Sequence, residues 1–114
     1  MSHRIPTLKL PNADAGALVA SRVITTKPCK LLSIVVLNTN AAIRYFQIHE
    51  TASLPADGAV PDVPSIPVSA NSAMQFDFGA GGLDLDALTI CNSTTAATKT
   101  IGAADAAILA ILQG

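Results

Sequence analysis

Charge is what this chain has least of. Only 13% of its 114 residues are charged, about half the share of an ordinary globular domain. A small monomer normally covers itself with charge, so a charge-poor surface points to burial against other chains, the rival being an Ala/Ser/Thr-rich surface that is uncharged in itself. Aromatics are also scarce: Phe46, Phe76, Phe78 and Tyr45 are the whole set, and Trp is absent. The core must therefore be mostly aliphatic. Two cysteines, Cys29 and Cys91, are too few for a disulfide scaffold and are expected to be reduced thiols of a protein made in a cytoplasm. "MSHRIPTLKLPNADAG" offers charge and proline where an export signal needs an apolar stretch. No run reaches the roughly 18 apolar residues of a membrane span, so no membrane partner is expected.

What is present is apolar material, at 50% of the residues, enough for one small domain with a real core. The charges that exist are unevenly placed. Residues 1–44 hold Arg4, Lys9, Arg22, Lys27, Lys30 and Arg44 against Asp14, a balance of +5. Residues 45–114 hold Lys99 against seven acidic residues, a balance of −6. The asymmetry orients contact between a basic end and an acidic neighbour, unless the two halves interleave in space. Basic residues are spread out with no aromatics between them, which argues against nucleic-acid binding. Residues 1–16, with Pro6, Pro11, Asn12, Asp14 and Gly16, read as an extended N-terminal arm, and residues 17–114 as the folded domain.

Beyond the arm the hydrophobic pattern has period two. "ALVASRVITT" (17–26) is β-rich and stops before Lys27-Pro28. "CKLLSIVVLN" (29–38) is apolar on both faces, as a covered central strand would be. "IRYFQIHE" (43–50) places Phe46 and Ile48 inward and Tyr45, Gln47 and His49 outward. Residues 51–64 hold three prolines and make a long loop. "SIPVSA" (65–70) is a short strand that Pro67 assigns to an edge. "AMQFDFG" (73–79) alternates cleanly, with Met74, Phe76 and Phe78 inward and Gln75 and Asp77 outward. "GAGG" (79–82) is a turn, and "ALTICNS" (87–93) alternates again. "AAILAILQG" (106–114) has helical propensity but is too short for a stable helix, and agreement with its neighbours favours a strand. Short strands at regular spacing with no helix predict an antiparallel β-sandwich or jelly roll of about seven to eight strands.

Chemistry is hard to find in this pattern. His3 and His49 have no further ligand at metal-binding spacing, and "DLD" (84–86) lacks the oxygen donors of a calcium loop. No Ser lies in G-x-S-x-G, and no His is near Cys91 in sequence. "GAGG" leads into acidic residues rather than a Lys-bearing helix, which excludes a phosphate loop. Asn92-Ser93-Thr94 matches a glycosylation sequence, but without an export signal the match is chance. "NSTTAATKTIGAADA" (92–106) has no acid–base pair; it reads as a polar connector in which Gly102 supplies a special backbone angle. No catalysis, cofactor or metal is expected.

Three stretches resemble, in order, small β-sandwich structural proteins of tailed bacteriophages: "VVLNTNAAIRYFQIHETASLP", "SIPVSANSAMQFDFGAGG" and "LTICNSTTAATKTIGAADA". The shared pattern is an N-x-N turn, a "RYFQ" strand, a Pro-rich crossover, an "F-x-F-G" strand and a closing "NSTT-ATKT-G-AD" loop. The resemblance covers about residues 29–106 and is moderately specific for a family and weak for a role. It implies a virion component, most simply a capsid decoration or head-spike protein assembled in a bacterial cytoplasm. Such a protein forms homo-oligomers, with a trimer as the working guess, and contacts a major capsid or other virion protein. The residues expected at such interfaces are Arg4, Pro6, Lys9 and Leu10 in the arm, Tyr45 and His49 on an outward strand face, and Lys99 in the connector. Leu32 or Ile34 is a candidate for an aliphatic outer face buried between subunits. The rival is a receptor- or glycan-binding domain of a tail fibre, for which Tyr45 is the one outward aromatic.

Overall fold

The computed structural model describes the backbone of residues 8–9 and all of residues 18–113. The elements are β1 (Leu8–Lys9), β2 (Ser21–Thr25), β3 (Cys29–Asn38), β4 (Arg44–His49), β5 (Ile66–Val68), β6 (Ser72–Asp77), β7 (Leu83–Leu85), β8 (Leu88–Ser93) and β9 (Ala106–Gln113). Among the described residues there is no helix. The strands form two antiparallel sheets packed face to face. The first runs β1-β9-β3-β6, with β7 also on β3, and the second runs β2-β8-β4-β5. Lys30 and Leu31 pair with both β7 and β9, so β7 lies on the same side of β3 as β6. The all-β sandwich expected from the alternation is what the chain forms.

The core lies between the sheets. Leu31, Ile34 and Val36 of β3 and Ile108, Ala110 and Leu112 of β9 meet Phe46 and Ile48 of β4 and Leu88 and Ile90 of β8. These residues reach the core because alternate positions of each strand face the opposite sheet. In β9 the pattern is perfectly regular, so "AAILAILQ" is a strand by tertiary context against its helical propensity. In β3 the alternation slips. The register shifts between Leu31 and Ser33, and this irregularity lets Leu31 and Ile34 both face inward. Ile34 is therefore fully buried core and not an outer-face residue.

Residues 83–85, assigned to no element by the sequence pattern, are a strand; Leu85 is buried, while Asp84 and Asp86 on either side of it are exposed. Gly82 makes this possible: its φ is +66° and a Cβ there would lie 2.7 Å from the Leu31 carbonyl oxygen. Met74 and Phe76 do point inward, since they stand opposite Val36 and Ile34 in the β3–β6 register. They are nevertheless 38% and 42% exposed. The facing strand, β5, has three residues and does not cover them.

The segment read as an arm is described only at Leu8–Lys9, whose backbone pairs with Gln113 and Leu112 of the same chain. Arg4, Pro6 and Leu10 lie outside the described residues.

Candidate functional site

Four regions gather the residues to which the sequence draws attention. The first is the outer face of the second sheet. Gln47 stands opposite Cys91, and His49 opposite Thr89, on the face away from the core. The sequence places Gln47 and His49 in solvent, but His49 is 2% exposed and Gln47 fully buried. The cover comes from two loops. The Pro-rich crossover and the 94–105 connector pair with each other: Gly58 N–H donates to Lys99 O and Lys99 N–H to Ala59 O, both at 2.7 Å. Gln47 Nε2 donates to the carbonyls of Thr95, Ala96 and Thr98 at 3.0, 3.3 and 3.1 Å. Its Oε1 is then the acceptor for His49 Nε2–H at 3.0 Å, which sets the imidazole tautomer. Ser93 Oγ donates to Thr95 O and accepts from Thr100 N–H, bracing the connector from within.

Lys99, also expected at the surface, is 3% exposed, and its Nζ meets Asp57 Oδ1 at 2.7 Å. Hydrogen bonds from Lys99 and from Ile101 N–H hold the Asp57 carboxyl below its ordinary range. Burial lowers the pKa of His49; Asp62 opposes the shift and Lys99 adds to it. Burial likewise pushes the Cys91 thiol up to about 11, with Lys99 partly offsetting it. That is the reverse of an activated thiolate, and the His49 ring N–H is held by Gln47. This cluster is built to hold two loops onto a sheet.

The second region joins the N-x-N turn after β3 to the connector before β9. Asn38 Nδ2 donates to the carbonyls of Ala42, Val68 and Ser69, and its Oδ1 accepts Asn40 N–H. Asp105 accepts from Asn40 Nδ2 at 2.7 Å and from Asn92 Nδ2 at 2.9 Å. Thr39 donates to the Asp105 carbonyl through both its N–H and its Oγ1. The N-x-N turn and the connector are thus one polar tie between the sheets. Asn92 is fully buried with its amide committed, so the glycosylation sequence is unreachable in the folded chain.

The third region is an apolar groove of about 360 Å³ between β6 and residues 63–67. Met74, Phe76, Phe78 and Leu83 form one wall, and Val63, Ile66 and two prolines the other; Ser65 is the sole polar residue of the lining. Phe76 and Phe78 pack edge to face with ring centres 5.2 Å apart. β6 is an edge strand with no buried residue.

The fourth region is the outer face of the first sheet. Val35 stands opposite Leu109 and Leu37 opposite Ala107, with Ile111 beside Ser33. Leu37 is exposed, and Val35, Leu109 and Ile111 are half-buried. This aliphatic face belongs to these residues rather than to Ile34.

Tyr45 is half-buried, between Ser93 and Pro67 on neighbouring strands. The structure thus brings His49 and Lys99 into one loop-covering network and leaves Tyr45 apart. The sequence signal for the groove was the F-x-F alternation; its lack of cover depends on the length of β5. Among the described residues no three His, Cys, Asp or Glu side chains gather as a metal site, and Cys29 and Cys91 are free thiols. No helix is long and apolar enough to cross a membrane among them. No family model, curated protein or solved structure matches this chain.

Proposed function

We propose that this protein is a non-enzymatic structural component of a phage virion, a decoration protein acting in many copies on the particle surface. The observation that carries the reading is apolar surface left without a partner: the exposed inner side of β6 and the aliphatic face of Val35, Leu37, Leu109 and Ile111. Isolated exposed apolar residues are ordinary, but contiguous ones on a charge-poor domain mark contact surfaces. The polar residues of the family likeness support it from the other side, since Asn38, Asn40, Asn92 and Asp105 are spent on holding the fold. A glycan site would need several polar groups beside its aromatics, and the groove along Phe76 and Phe78 has Ser65 alone.

The test is reconstitution. Purified protein added to phage heads lacking it is expected to co-sediment with them at a fixed number of copies and to raise their melting temperature. Leu37→Lys or Phe76→Asp, each at an exposed position, should weaken attachment while leaving the fold intact. Absence of binding to any particle component defeats the reading.

A further inference from the structure

β6 differs from every other strand whose burial is described. All of β3, β4, β5, β7, β8 and β9 bury residues, and β2 buries Ile24, whereas β6 buries none. The two edges of the second sheet carry the usual defences against pairing. β5 is three residues long and contains Pro67, and β2 carries a register irregularity between Val23 and Thr25. β6 has six residues, "SAMQFD", with no proline, no lysine and no irregularity against β3. Its one charge, Asp77, sits at its end.

We propose that β6 pairs antiparallel with β6 of a second copy about a two-fold axis at Gln75, joining the two first sheets into one. Self-complementarity identifies the occupant. In an antiparallel pair, opposite residues share a face, so a two-fold can centre only on a residue. Centring on Gln75 sets Met74 against the other copy's Phe76, twice, on the inner face. Sulfur over an aromatic edge is a favourable contact there. It also sets Asp77 opposite Ala73, keeping the two carboxylates apart. Centring on Met74 pairs as many residues but puts Phe76 opposite Ser72; centring on Asp77 brings the two carboxylates together. The added strand lays apolar side chains across the mouth of the groove that β5 leaves open.

The proposal deepens the assembly reading by naming one partner. It is tested by sedimentation and by cross-linking. The chain should be a dimer by sedimentation equilibrium. Phe76→Asp should weaken the dimer at least about tenfold while keeping the far-ultraviolet spectrum of the parent. On a Cys29→Ser background, Gln75→Cys should give a disulfide-linked dimer under mild oxidation, and Met74→Cys should not. A dimer linked through Met74→Cys overturns the register, and a trimer or an unchanged Phe76→Asp dimer overturns the pairing. A chain that stays monomeric yet still binds particles also overturns the pairing, and leaves the assembly reading standing.

Discussion

A glycine shows how far a residue's role can be read in advance. The connector's Gly102 draws attention in the sequence as a source of unusual backbone angles. Among the described residues the positive-φ glycines are instead Gly58, Gly79 and Gly82. Gly102 is required by crowding: a Cβ there would lie 2.9 Å from the Asn92 carbonyl oxygen and 3.1 Å from its Nδ2. The same carbonyl accepts Gly102 N–H at 2.8 Å, so the two backbones cannot separate without breaking that bond. The need for glycine was legible, but its reason was not, because it comes from a strand folded back beside it. Gly102→Ala should cost about 1–3 kcal/mol in denaturant unfolding, as overpacked sites do. Gly81→Ala, in open space with no positive φ, should lie within about 0.5 kcal/mol of the parent. Equal effects of the two substitutions would refute the crowding argument.

At the scale of elements, period-two alternation located β4, β6 and β8 and told which of their side chains face the core, while β3 was legible as a β-branched run apolar on both faces and β9 only through agreement with its neighbours. It failed to tell what covers the other side. Gln47 and His49 are outward, as the pattern says, and still buried, because the Pro-rich crossover and the connector close over them. Long loops have no periodicity, so their path over a sheet leaves no signal in spacing. The burial has a consequence in pH. The His49 pKa is held below its ordinary 6.5, so the unfolded chain takes up the proton first. Its contribution to stability is complete above about pH 6.5 and is lost progressively as the pH falls below that value. Facing groups pull both ways, with Asp62 favouring protonation and Lys99 opposing it. Melting temperature should therefore decline on acidification from pH 7 to pH 5.5, roughly the window where an ordinary histidine titrates. In His49→Gln the decline should flatten, whatever that variant's stability at neutral pH. A decline of the same steepness would assign the acid sensitivity elsewhere.

For the whole molecule, the strands were legible one by one while their assignment to sheets was not. The chain changes sheet between β1 and β2, β2 and β3, β3 and β4, β5 and β6, β7 and β8, and β8 and β9. No local pattern records such crossings. They make β9 indispensable although it comes last in sequence order. β9 lies between β1 and β3 and pairs with β3 from Lys30 to Asn38. It contributes Ala106, Ile108, Ala110 and Leu112 to the core, none more than 3% exposed. Burying Ile108 and Leu112 contributes about 1.5–3 kcal/mol each, before counting the ladder to β3. Domain stabilities of about 5–15 kcal/mol leave little beyond such a loss, and removing the strand also strips one edge of β3. A chain ending at Asp105 should therefore lose the cooperative thermal transition and the dispersed amide resonances of the intact protein. Retention of both would mean that β3 and the second sheet hold the fold without β9, against the packing described above.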